Sequence, residues 1–185
     1  MYSFGVRDES SFENALLGRT ACEVWAYDYS VVDLGEQLEA AHRARAHFVQ
    51  AGVSGRTDTA RDPPFYSIAD LMRGNGHDYV DILKMDIEFA EFEALDGMAR
   101  DFPAELPVGQ LLVEMHFFHA LDAKGYLEWW ERLEARGLRP TWTEPNLLAV
   151  TMNLNGDKSP TLAEYTLLNV RDRRSVVFGG NTQRD

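Results

Sequence analysis

With a single cysteine, Cys22, in 185 residues, the chain can form neither an internal disulfide nor a thiolate zinc site. That cysteine stands in an apolar run before Val24 and reads as a buried structural thiol rather than a nucleophile. Basic residues are scarce: 18 Lys and Arg against 30 Asp and Glu leave a formal charge of −12. Such a surface repels phosphate backbones and anionic lipid, which argues against general nucleic-acid binding. The local basic groups, Arg43 with Arg45 and Arg171 with Arg173 and Arg174, read as solvated positions. No stretch approaches the about 20 apolar residues of a membrane span. Residues 1–13 lack the charged and apolar regions of a signal peptide, so a soluble, cytoplasmic protein is expected. Two glycine-rich phosphate cradles are also missing, the G-x-G-x-x-G dinucleotide fingerprint and the P-loop.

What is present is an ordinary globular composition, 45% hydrophobic and 26% charged, in a length that suits one domain with a substantial core. A single domain is expected over residues 1–178, with 179–185 as a flexible tail. Apolar runs alternate with helical patterns, the signature of βαβ units and a parallel sheet. Strands are predicted at Met1–Val6, Cys22–Tyr27, His47–Val53, Tyr79–Met85, Gln110–Met115, Leu138–Thr143 and Tyr165–Val170. Helices are predicted at Ser10–Leu17, Leu34–Ala46, Ile68–Arg73 and Phe89–Arg100. Polar loops are predicted at Ser54–Pro64 and Asn153–Pro160. The clearest helix has Asp122 as its cap and Gly137 as its stop. Tyr126, Trp129, Trp130 and Leu133 recur along it at helical spacing, and the two tryptophans read as core.

In an open parallel sheet, ligands bind beyond the carboxyl ends of the strands, where the strand order reverses. Three predicted strands lead into groups suited to this. The first runs through Ser3 into the turn at Gly5, where backbone can approach a ligand. The second ends on Asp28, placed to accept hydrogen bonds from ribose hydroxyls. The fourth ends on Asp86, with Glu88 just beyond. This pattern fits any adenosine-containing cofactor. One glycine is too few for a pyrophosphate, whereas S-adenosylmethionine has none, so the pattern tilts toward methyl transfer. Glu88 and Glu91 also read as first-turn carboxylates of the next helix, and Lys84 as a partner for one of them. His116 and His119 follow the fifth strand, where an acceptor would sit, and His116 could take the acceptor's hydroxyl proton. Asp86, Glu88, Glu114, His116 and Glu144 could instead hold a metal ion through oxygen and imidazole ligands. The preferred reading here is without a metal.

The segment Ile82-Leu83-Lys84-Met85-Asp86-Ile87-Glu88-Phe89-Ala90-Glu91-Phe92-Glu93-Ala94-Leu95 resembles the LKxDxEGAExxxL segment of FkbM-type methyltransferases and related methyltransferase-like proteins. Tyr2-Ser3-Phe4-Gly5-Val6 followed by Ser11-Phe12-Glu13 is similar to the first motif of one branch of that group. Cys22–Asp28 is similar to its second strand and acidic end, Leu112–His116 to its LxExH signature, and Glu144-Pro145-Asn146 to its ExN signature. The resemblance runs from about Met1 to Asn146. It implies a Rossmann-like class I methyltransferase fold, a three-layer α/β sandwich whose mostly parallel sheet has a reversed last hairpin. It also implies S-adenosylmethionine as cofactor, bound by Ser3, Gly5, Asp28 and Asp86. Catalysis is assigned to His116 and Asp86, on a small-molecule or sugar acceptor that is methylated on oxygen. Two departures stand out. Phe89 occupies a position that is usually glycine in the family. The chain also opens almost inside its first strand, where such proteins carry helices that cover part of the cofactor. A non-catalytic binding module of the same fold and an NAD-dependent oxidoreductase are the rival readings.

Overall fold

Alternation along the strands gives the central sheet two apolar faces. Tyr2 and Phe4, Leu83 and Met85, and Leu111, Val113 and Met115 point to one side, into the larger core. Val24 and Ala26 point to the other, where a smaller core gathers Met1, Val6, Leu17, Leu34 and Leu38. The computed structural model describes residues 1–117, 123–146, 151–154 and 157–178.

In chain order the elements are β1 (Tyr2–Phe4), α1 (Ser11–Arg19), β2 (Val24–Tyr27), a 3₁₀ turn (Arg43–Arg45), β3 (Ala46–Val49), β4 (Gly52–Val53), β5 (Phe65–Tyr66), α2 (Ile68–Asn75), β6 (Val80–Met85), α3 (Glu91–Asp101), β7 (Val108–His116), α4 (Ala123–Glu134), β8 (Leu138–Pro145), β9 (Thr151–Leu154), β10 (Asp157–Pro160), β11 (Leu162–Asn169) and a final 3₁₀ turn (Val176–Phe178). Seven strands form one sheet in the order β3-β2-β1-β6-β7-β11-β8. Its first five strands are mutually parallel. β11 runs antiparallel to both β7 and β8. Helices α2, α3 and α4 supply the larger core, and α1 lies with the smaller one. No helix among the described residues is long and apolar enough to cross a membrane.

Three segments differ from their expected structure. The predicted helix over Leu34–Ala46 is a run of turns ending in the 3₁₀ turn. Its backbone is held from outside: Gly35 N–H donates to Ser10 Oγ at 2.8 Å, and Glu39 N–H to Asn14 Oδ1 at 3.0 Å. Side chains near the start of α1 thus replace the i→i−4 ladder that helical composition alone suggests. The strand predicted over His47–Val53 is split. Ala46–Val49 stays in the main sheet, while Gly52–Val53 leaves it to pair with Phe65–Tyr66. The predicted loop over Asn153–Pro160 falls largely within the antiparallel pair β9–β10. The predicted cap Asp122 and the tail at 179–185 lie outside the described residues.

Trp129 and Leu133 of α4 are fully buried, whereas Tyr126 and Trp130 are half-buried. The Trp129 ring packs on Phe92 at a centroid distance of 4.8 Å, and Trp130 packs on Tyr165 at 5.2 Å. Trp129→Ala is therefore expected to destabilise the fold by ~3–5 kcal/mol, and Trp130→Ala by clearly less. Urea unfolding of both variants checks the order; equal losses would mean that the two rings share one environment.

Candidate functional site

The strand order reverses between β1 and β6, and the chain winds outward from there on both sides. A cavity of about 270 Å³ opens at that place, edged by Gly5, Asp28, Asp86, Glu88 and the ring of Phe65. Its position follows from the winding, because the loops leaving neighbouring strands diverge where the order reverses. Gly5 closes the floor. It has φ +75°, and a Cβ placed there would lie 1.6 Å from the carbonyl oxygen of Asp86. Its N–H donates to the Tyr27 carbonyl at 3.0 Å, while Asp86 N–H donates to that of Phe4 at 3.1 Å. Glycine is thus demanded twice, by conformation and by space.

Asp28 is buried at the cavity wall and already carries three hydrogen bonds. Its Oδ2 accepts from the N–H of Arg7 at 2.8 Å. Its Oδ1 accepts from the N–H of Ser30 at 2.7 Å and from the Ser30 hydroxyl at 2.6 Å. A carboxylate offers about four acceptor positions. Asp28 therefore ties its own loop to the turn after β1 and keeps limited capacity toward the cavity. Ser3 does not line the cavity at all. It is fully buried, and its hydroxyl donates to Glu13 Oε1 at 2.5 Å. The side-chain alternation that brings Tyr2 and Phe4 to one face sends Ser3 to the other.

Asp86 and His116 do come together, with Glu88 beside them. His116 Nε2 lies 3.9 Å from Asp86 Oδ1 and 3.4 Å from Glu88 Oε2. On its other side, His116 Nδ1 bonds Glu91 Oε1 at 2.9 Å. Burial pushes the Asp86 carboxyl up to about 6, reinforced by the charges of Glu114 and Glu88. Burial alone would lower the His116 imidazole. The hydrogen bond to Glu91 and the charges of Glu91, Asp86 and Glu88 outweigh it, and the net shift is upward. Glu114 and Glu144 stand apart from this group. With Lys84, Trp142 and Glu164 they line a second depression of about 350 Å³, which also touches Asp86. Asp86 is thus shared between the two hollows. His119 lies outside the described residues.

Sequence reasoning assigned Glu91 only to the first turn of a helix. It is fully buried, and the oxygen that meets His116 also accepts the N–H of Ile87 at 3.0 Å. A charged residue at the start of an amphipathic helix, five residues after the polar strand end Asp86, is the signal the sequence offers. The glycine departure also has a structural consequence. Glu88 has φ +52° and Phe89 φ +81°, so the turn after Asp86 takes the left-handed shape that glycine accepts without cost.

The model for the methyltransferase FkbM domain matches residues 11–140, more than two thirds of the chain. The chain belongs to the FkbM methyltransferase family. Among curated proteins, none matches it. In this family member the matched stretch contains Asp28, Asp86, Glu91 and His116, whereas Ser3 and Gly5 lie just before it.

The left-handed turn yields a test of local strain. At position 89, glycine should be more stable than alanine by ~1 kcal/mol, the reverse of their usual order. Thermal melting of Phe89→Gly and Phe89→Ala measures this directly, and a more stable alanine variant would refute the left-handed assignment.

Proposed function

We propose that this chain is an S-adenosylmethionine-dependent methyltransferase that transfers a methyl group to an oxygen of a small molecule or sugar. The proposal includes a class I, Rossmann-like three-layer architecture in one domain over residues 1–178, and a cytoplasmic setting. The observation that carries it is the cavity at the strand reversal, edged by Gly5, Asp28 and Asp86, in a member of the FkbM methyltransferase family.

The residues present fit the cofactor's parts. Tyr29 and Phe65, with ring centroids 5.2 Å apart, give the outer wall an aromatic surface for an adenine. Gly52 keeps that wall thin, since a Cβ there would meet the Phe65 ring at 2.3 Å. Asp28 retains an acceptor position for a ribose hydroxyl, and rotation of the Ser30 hydroxyl would free a second. Asp86 and Glu88 add negative charge to the cavity edge, which favours a sulfonium and an ammonium group. The cofactor supplies an electrophilic methyl group when bound. His116 and Asp86 act on the acceptor oxygen, which they orient for in-line attack. Ser3, spent on Glu13, has no part in this assignment.

Calorimetric titration with S-adenosylhomocysteine and with NAD separates the readings. Tighter binding of S-adenosylhomocysteine is expected; binding of NAD alone would favour an oxidoreductase, and binding of neither would favour a module without turnover. Asp28→Ala should weaken S-adenosylhomocysteine binding by ~1.5–3 kcal/mol, the cost of a hydrogen bond to a charged group. Unchanged affinity in a folded variant would remove Asp28 from the ribose role. His116→Ala should slow methyl transfer by about 10²–10⁴-fold with cofactor affinity nearly unchanged. A wild-type rate in that variant would take His116 out of the chemistry.

A further inference from the structure

Three side chains from two strand ends converge beside the cavity. Asp86 and Glu88 follow β6, and His116 ends β7. One potential ligand atom from each lies within 4.8 Å of the others. We propose that Asp86, Glu88 and His116 form a binding site for a divalent first-row metal ion, of the kind that accepts both imidazole and carboxylate ligands, such as Mn²⁺ or Zn²⁺.

The histidine is the strongest pointer. Its side chain is only 4% exposed, yet its Nε2 makes no hydrogen bond among the described residues and faces two carboxylates. Its Nδ1 meets Glu91 Oε1 at 2.9 Å. A carboxylate there acts as acceptor, so the shared proton belongs on Nδ1 and the Nε2 lone pair is left for another partner. A carboxylate behind the imidazole is also how metal-bound histidines are held in orientation and made more basic. The second pointer is Asp86 Oδ1, which is sealed from solvent and has no hydrogen-bond partner among the described residues. An unpaired buried carboxylate oxygen is costly, and a cation between it and Nε2 would satisfy both.

Charge and spacing agree. Asp86, Glu88 and Glu91 surround one imidazole, and the nearby Lys84 ammonium lies 3.6 Å from Glu13. Ligands at about 2.0–2.2 Å from a tetrahedral or octahedral ion lie roughly 3–3.5 Å from each other. The observed separations from Nε2, 3.4 and 3.9 Å, need little closure. Glu88 can supply it, because its side chain is 56% exposed and free to turn. Asp86 and Glu88 also edge the cavity, so an ion held here keeps open positions toward it, as catalytic rather than structural sites do. Only the ion's use in catalysis rests on the methyl-transfer reading. There it would hold the acceptor oxygen and lower the pKa of its hydroxyl, whose proton leaves to water as the oxygen–methyl bond forms and the sulfur–methyl bond breaks.

Chelator-treated protein titrated with MnCl₂ tests the site, with free Mn²⁺ followed by electron paramagnetic resonance. One bound equivalent is expected, displaced by ZnCl₂. His116→Ala and Glu88→Gln should each weaken it at least tenfold, and Glu91→Gln by about 10–100-fold through loss of orientation. Glu88→Gln changes an exposed side chain and carries the test if His116→Ala fails to fold. Absence of Mn²⁺ and Zn²⁺ binding at millimolar concentration would overturn the proposal, as would affinity unchanged by Glu88→Gln. S-adenosylhomocysteine affinity, measured on the same samples, separates the two claims. Metal binding without S-adenosylhomocysteine binding defeats the methyl-transfer reading alone, and the converse defeats the metal site alone.

Discussion

The contact between Gly5 and the backbone of Asp86 is the constraint on which the site depends. β1 and β6 are parallel neighbours with Phe4 opposite Met85, so the residues that follow them emerge side by side. This close approach leaves no room for a side chain, because a Cβ on Gly5 would lie 1.6 Å from the Asp86 carbonyl oxygen. With that contact in place, one chain end leads toward α1 and the other toward α3, and the cavity is the gap between them. The glycine thus acts first on the protein's own backbone. Any ligand profits from a shape already required by the packing of two strands.

That ordering explains which parts were legible in the sequence. The strands that build the sheet are short apolar runs ending in a polar or glycine residue, and periodicity finds such runs well. β1, β2, β6 and β7 each overlap their predicted position, and with them came Gly5, Asp28, Asp86 and His116. Elements set by partners distant in sequence were not legible. Residues 34–46 have helical composition, but Ser10 and Asn14 bond their backbone, and nothing local in the segment announces this. The pairing of Gly52–Val53 with Phe65–Tyr66 is likewise invisible without the loop that joins them. The β9–β10 pair is different: the Asn-Gly dipeptide at positions 155–156 is a hairpin signal that stands among polar residues of loop-like composition. At the site, Ser3 differs from its expected role by facing: strand alternation turns it away from Tyr2 and Phe4, toward Glu13.

The turn after Asp86 sits where strain and charge meet. Two consecutive non-glycine residues, Glu88 and Phe89, hold positive φ. Such conformations persist when surrounding contacts over-determine them. Here the start of α3 does so. Glu91 accepts the N–H of Ile87, and the Phe89 ring lies 5.2 Å from that of His116. The strained turn carries Glu88, whose Oε2 lies 3.4 Å from His116 Nε2.

Two buried glutamates anchor the two helix layers, and the difference between them bears on the site. Glu13 of α1 meets the Ser3 hydroxyl and lies 3.6 Å from the Lys84 ammonium, which compensates its charge. Among the described residues, Glu91 of α3 accepts from the N–H of Ile87 and meets the Nδ1 of His116. A buried carboxylate facing a neutral imidazole is left with most of its charge uncompensated, which is costly in a low-dielectric interior. With Nδ1–H already donated, the imidazole can become positive only at Nε2, through a proton or a metal ion. Glu91 therefore favours a cation at the very atom that Asp86 and Glu88 face. The electrostatics of the helix anchor and of the candidate site are one system, and the charge state of His116 follows from both sides of its ring.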